Sequence, residues 1–132
     1  MQYVLLLYAE EEAWDSLDPE AQEAVMAEYD DVTEAMKAQS AHLGGEALRP
    51  SSEAATLRIR DGQEIVTDGP FVEAKEMLGG FYLVECDTRE EALRWAARIP
   101  DARIGAIEVR PILDVSDLRE SATRTASEAG AG

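Results

Sequence analysis

Long apolar runs, basic side chains, cysteine and histidine are all scarce in this chain of 132 residues. No stretch of about 18 apolar residues occurs, which excludes a membrane-spanning helix. The longest apolar stretches, residues 3–9 and 79–84, have the length of strands. The first residues lack a basic region followed by an apolar run, so no secretory signal is expected. One cysteine, Cys86, cannot form an internal disulfide; it reads as a small apolar filler at a strand end and points to a reducing, cytoplasmic setting. With a single histidine, no Cys/His set has zinc spacing. Phosphate-loop and dinucleotide glycine motifs are missing too. No metal or cofactor is expected. An oxygen-rich set does exist in Asp68, Glu73 and Glu76, a weaker reading as a divalent-cation site.

Cations are few: 12 basic against 28 acidic side chains, a formal charge of −16. Nucleic-acid binding neutralises phosphates with clustered Lys and Arg. Here the only lysines are Lys37 and Lys75, and the arginines are scattered. Direct binding to nucleic acid or to an anionic membrane is therefore excluded as an expectation, and the charge serves solubility.

What is present fits one domain. Apolar residues make up 45% of the chain, enough for a core. Residues 2–9 are almost continuously apolar, the pattern of a strand covered on both faces. An acidic linker, residues 10–16, follows, with Trp14 expected to pin it to the core. Asp18 and Pro19 open a helix, as N-cap and first helical residue. Ala21, Val25, Tyr29, Val32, Met36 and Leu43 recur at helical spacing, and Gly44-Gly45 is read as the helix end. Thr56 to Arg60 and Glu64 to Thr67 flank Asp61-Gly62, a hairpin signal. Residues 79–85 form another buried strand. Thr88 and Glu91 begin a second helix with a capping box; Ala92, Leu93, Ala96 and Ile99 form its apolar face, with Trp95 packing it, and Pro100 stops it. Residues 107–111 close the order as a final strand, in which Arg110 could pair with an anionic ligand or merely with its neighbour Glu108. This is a ferredoxin-like βαββαβ pattern: α+β, an antiparallel sheet with helices on one face. Two helices cannot cover both faces, so a second copy packed sheet to sheet is expected, against the alternative of a deep ligand cavity or another partner. The domain spans residues 1–113, and 114–132 read as a flexible tail.

The most distinctive segment is residues 68–80. Asp68-Gly69-Pro70 breaks a strand. Glu73, Lys75 and Glu76 follow, and then Gly79-Gly80 enters the buried strand, where glycine permits close approach of a ligand or a neighbouring strand. By its residues alone this is a charged loop whose Lys75 pairs with its own acids. The run Asp68-Gly-Pro-Phe71, Glu73-Ala-Lys-Glu76, Gly79-Gly80 resembles the signature of the YCII-related (YciI-like) proteins of the DGPF branch, whose wording is close to DGPFAETKE. Val72 and Ala74 replace an alanine and a threonine. The opening Tyr3 to Tyr8, the His42 to Gly45 turn and Leu48 also agree with that family.

The resemblance implies a ferredoxin-like dimeric α/β barrel and an uncharacterised function. It also implies acid/base catalysis by a paired histidine and aspartate, or, as the alternative, a non-catalytic ligand-binding or regulatory protein linked to an alternative sigma factor, because genes of the DGPF branch often neighbour such factors. On this chain the pair would be His42, at the expected helix end, and Asp68, meeting at one edge of the sheet. Each has a plainer reading: His42 as a surface residue closing a helix, Asp68 as a turn aspartate. Tyr8, Glu73, Lys75, Glu76, Gly79 and Gly80 are the expected ligand-binding residues. The expected partners are a second copy and a small molecule.

Overall fold

The computed structural model describes residues 1–122. Its main layer is a four-stranded antiparallel sheet of β1 (Gln2–Ala9), β2 (His42–Ala47), β5 (Met77–Glu85) and β6 (Ala106–Pro111), in the order β2-β5-β1-β6. Strands β3 (Ala55–Arg60) and β4 (Gln63–Asp68) form a separate two-stranded hairpin. Helices α1 (Glu11–Asp15), α2 (Pro19–Ala38), α3 (Arg89–Ala97) and α4 (Asp101–Ile104) complete the domain, with a 3-10 turn at Ser51–Glu53. Without the hairpin insertion and the short helices, the order is βαββαβ, and the sheet is ferredoxin-like.

Local chemistry explains most element ends. Asp18 caps α2 by accepting from the Ala21 backbone N–H at 2.8 Å, and Pro19 occupies the first turn. Thr88 caps α3 through the Glu91 N–H at 3.2 Å, while the Glu91 carboxylate reaches back to the Asp87 N–H. Asp61 and Gly62, at φ 51° and 76°, make the tight turn joining β3 to β4.

Helix α2 ends five residues before Leu43, at Ala38, and Ser40 takes the left-handed conformation (φ 57°) expected of a glycine. The stretch read as the helix end, His42 to Gly45, is instead the beginning of β2. Its glycines serve strand approach: a Cβ on Gly45 would lie 2.7 Å from the Phe81 carbonyl oxygen, and one on Gly80 2.9 Å from that of Glu46. So β2, and neither strand of the hairpin, fills the second strand position of the sheet. The acidic linker contains helix α1, and its Trp14 is 40% exposed, so it does not pin the linker to the core. On α3, Leu93 is 41% exposed; Trp95 takes the core position. Residues 115–122 run as an exposed helix, and the remainder of the expected tail lies outside the described residues.

The core lies between one sheet face and α2 and α3. Tyr3, Leu5 and Leu7 of β1 and Tyr82 and Val84 of β5 meet Val32, Met36, Ala92, Trp95, Ala96 and Ile99. The alternate residues Val4, Leu6 and Tyr8, with Phe81 and Leu83, point to the other face and are only half-buried. Cys86 is buried in the core cluster, and burial pushes its thiol pKa up. At the helix side, Tyr29 donates a hydrogen bond to the carboxylate of Asp101, which is 7% exposed. Burial raises the Asp101 pKa above its ordinary 3.8, opposed by the Tyr29 hydrogen bond.

That direction sets a testable sign. The folded state holds its Asp101 proton more tightly than the unfolded chain, so this residue's contribution to stability falls as pH rises above 3.8. Asp101→Asn keeps an acceptor for Tyr29 and removes the buried charge. Urea denaturation at a series of pH values is expected to show the variant gaining on the parent as pH rises from about 4 toward neutrality. A difference that stays constant or moves the other way overturns this account.

Candidate functional site

The β1–β5 pairing contains an irregularity at the end of the two strands. Leu7 faces Gly80, but Tyr8 faces Leu78, so Gly79 is an extra residue, bulged out of the ladder. A Cβ on Gly79 would meet nothing within 4 Å. Tyr8 and Leu78, as a cross-strand pair, share a face, and along β1 that is the face of Val4 and Leu6. The uncovered side of the sheet thus ends in a phenol beside an apolar side chain.

Over this end stands the hairpin. Gly69 donates to the Ala54 carbonyl at 2.7 Å, the Thr56 hydroxyl donates to the Gly69 carbonyl at 2.9 Å, and Leu48 N–H donates to Gly79 at 2.9 Å. Ser51 in the 3-10 turn is tied to α1, its backbone N–H reaching Glu11 at 2.6 Å and its hydroxyl reaching the same carboxylate. These bonds hold the Glu11 pKa below the usual carboxylate range. Between the hairpin base and the sheet end lies an open groove of about 450 Å³. Leu48, Leu57, Pro70, Phe71, Met77 and Leu78 supply its apolar wall, with Ser51, Thr56 and Arg49 among the polar members. The Arg58 guanidinium lies 5.0 Å from the centre of the Phe71 ring, a cation–π contact. The groove is within the size range of small-molecule sites and has their apolar character.

The structure does not bring His42 and Asp68 together. His42 faces Val84 at one end of β5, on the helix side of the sheet, with its ring edge-on to Tyr82 at 6.4 Å. The Tyr82 hydroxyl in turn bonds Thr33 at 3.2 Å. Asp68 ends β4, and the chain from it returns to the sheet at Met77, the opposite end of β5. Val84 is seven residue steps along the strand from Met77, roughly 20 Å at the usual rise. The expectation that they meet at one edge depended on a helix ending at His42, and that residue lies in a strand.

The charged members of residues 68–80 also take other places. Lys75 pairs with Glu10 at 3.2 Å in an exposed contact, worth little to stability. Glu76 turns toward the link between α4 and β6: a Cβ on Gly105 would come within 3.0 Å of its carboxylate. Glu73 is exposed. Among the described residues no group of three His, Cys, Asp or Glu side chains could hold a metal ion. Gly80 answers to β2, not to a ligand, while Gly79 alone of the pair faces open space. Tyr8 is not itself among the groove's lining residues; it is in register with Leu78, which is. The apolar side chains of the same segment, Pro70, Phe71, Met77 and Leu78, line it instead of the charged ones. Leu48 and Leu57 were not anticipated as lining residues; the alternation of Leu57 and Ile59 on an otherwise polar hairpin was the available signal. Glu108 and Arg110 on β6 do pair, at 3.2 Å.

Comparison with known proteins fits this fold. Residues 1–116 match the family model of the YCII-related domain. An uncharacterized protein, R00369 of Rhizobium meliloti (strain 1021), is 40% identical over 115 residues, covering 85% of this chain and 92% of that protein. Among solved structures, the 5-chloro-2-hydroxyhydroquinone dehydrochlorinase TftG of Burkholderia phenoliruptrix AC1100, in complex with 2,5-dihydroxybenzoquinone, is similar with a TM-score of 0.50 and 16% identity. The match covers 86% of this chain and 94% of that one. At that identity the likeness speaks for the fold. No helix among the described residues is long and apolar enough to cross a membrane.

The end of β1 depends on Gly105. Any Cβ there would collide with the Tyr8 carbonyl oxygen and come within 2.9 Å of the Ala9 Cα. Both are backbone atoms, which cannot move aside cheaply. Gly105→Ala is expected to cost more than about 2 kcal/mol in chemical denaturation. Gly79→Ala, with free space around it, is expected to stay within about 1 kcal/mol of the parent. Equal costs for the two variants would refute the assignment.

Proposed function

The chain belongs to the YCII-related domain family, and we propose that this member binds a small, flat, largely apolar molecule in the groove between the hairpin base and the end of the sheet. The observation that carries the reading is the groove itself: about 450 Å³, walled by Leu48, Leu57, Phe71, Met77 and Leu78. Tyr8, in register with Leu78, supplies the hydroxyl that orients a polar edge of the ligand. The segment that carries the DGPF-type signature thus acts through its apolar residues, as a wall. Acid/base chemistry by His42 and Asp68 within one chain has no support in their placement, so the proposal is binding, with the Tyr8 phenol as the group available for proton transfer to a bound oxygen.

The same reading includes a homodimer. Val4, Leu6, Phe81 and Leu83 form a half-buried apolar face without a covering layer among the described residues. A second copy laid sheet to sheet would complete a dimeric barrel and close the side of the groove. Glu108 and Arg110, in register with Leu6 and Val4 on this face, pair with each other, so their charges do not oppose the contact.

Two measurements test the reading. Titration calorimetry with 2,5-dihydroxybenzoquinone and related hydroxylated rings is expected to give binding that Leu57→Asp weakens by well over tenfold and Tyr8→Phe by about fivefold, the loss of one hydrogen bond. Absence of binding across such rings, or indifference to Leu57→Asp, sinks the groove assignment. Sedimentation at micromolar concentration is expected to give the mass of two chains; a mass of one overturns the dimer.

A further inference from the structure

The hairpin is longer than the groove needs. Leu57 and Val66 are paired across it, as are Ile59 and Glu64, so Leu57, Ile59 and Val66 share one face. Leu57 lines the groove. Val66 stands beside Leu57 and Ile59 lies one pair nearer the turn, opposite Glu64; Ile59 and Val66 are 59% and 63% exposed. The hairpin forms its own sheet, bonded to no strand of the main one. An isolated two-stranded ribbon is marginal in water, and this one exposes apolar side chains that nothing among the described residues covers.

Charge indicates what covers them. The chain carries −16, so two copies repel over most of their surfaces. Helix α2 holds Glu20, Glu23, Glu28, Asp30, Asp31 and Glu34 against Lys37 alone. Residues 55–67 are different: Arg58 and Arg60 balance Asp61 and Glu64. Neither arginine has a carboxylate partner among the described ion pairs. The hairpin is thus a neutral, apolar arm on an otherwise strongly acidic molecule, with Arg58 over Phe71 and Arg60, next to the turn, without a carboxylate partner among the described ion pairs. Its complement is a surface that is both apolar and acidic, which a second copy offers on its open sheet face, where Glu46, in register with Phe81, and Glu85, in register with Gln2, border Val4, Leu6 and Leu83.

We propose that the β3–β4 hairpin is a dimer arm. It reaches past its own sheet and clasps the second copy, laying Ile59 and Val66 on apolar surface and presenting Arg60 to the partner's acidic rim. This rests on the sheet-to-sheet dimer proposed above and adds to it. The arm also carries Leu57 and Phe71 at its base, so clasping holds the groove wall in place, and ligand binding and dimerisation are coupled through one element.

The test compares variants of the full chain by sedimentation equilibrium. Ile59→Thr with Val66→Thr keeps strand-forming, β-branched residues while removing the apolar contact. It is expected to weaken dimerisation by about tenfold. Arg60→Glu is expected to weaken it at low salt and much less at high salt. Hydrogen exchange gives a second readout without mutation: the amides of β3 and β4 gain protection as concentration rises through the dimer range. If the arm variants dimerise as tightly as the parent while Leu83→Glu on the sheet face is monomeric, the arm is overturned and the dimer stands. If hairpin protection is independent of concentration in a parent that dimerises, the arm is likewise overturned. A monomeric parent overturns both.

Discussion

A strand with apolar side chains on both faces can be satisfied by helices on one face only, and the rest of this molecule follows from that constraint on β1. Tyr3, Leu5 and Leu7 are buried against α2 and α3. Val4 and Leu6 carry nearly the same chemistry and are left half-buried. Burying a side chain of this size is worth about 1.5–3 kcal/mol, so an uncovered row of them is a considerable unused driving force. The sheet's neighbours show the same division: Tyr82 and Val84 are buried on one face, Phe81 and Leu83 half-buried on the other. The buried face accounts for folding. The other invites association or a ligand, and Leu78, which lines the groove, lies on that side with Tyr8.

Much of the architecture was legible from periodicity because most core-forming positions obey it, Leu43 and Leu93 being the exceptions. Residues 2–9 and 79–85 became β1 and β5, the Asp18-Pro19 start became the start of α2, and Asp61-Gly62 made its turn. The misreading came at Gly44-Gly45. Two glycines after an apolar helical residue satisfy a helix-end rule, but they also satisfy the steric rule for strands that approach closely. Only the register decides between these, and the register is a long-range fact: Gly45 lies against Tyr82, almost forty residues on. Once that pairing is known, His42 moves from a helix end into a strand, and its supposed partner Asp68 is left at the far end of β5.

The site was less legible for a related reason. Charged residues in residues 68–80 draw attention because they can do chemistry, yet their placement depends on which strand end they fold against. Lys75 and Glu76 turn to the end of β1, near Glu10 and Gly105. Phe71 and Met77, unremarkable in sequence, line the groove together with Leu48 and Leu57 from other segments of the chain. An apolar residue's role as core, groove wall or docking surface is set by what faces it, and no local pattern distinguishes these.

The bulge at Gly79 joins these threads. An extra residue in β5 displaces the register by one position beyond Leu7, so Tyr8 faces Leu78 where a regular ladder would give it Gly79. Without the bulge the groove end of the sheet would have glycine opposite the phenol and Leu78 shifted to the opposite face, since a one-residue slip exchanges the two faces of a strand. The groove wall would lose Leu78, and the phenol would stand alone. Gly79 and Gly80 therefore have separate work, although they are adjacent. Gly80 lets β2 approach, which builds the sheet. Gly79 absorbs the bulge, which aims Leu78 and so gives the end of the sheet its binding character.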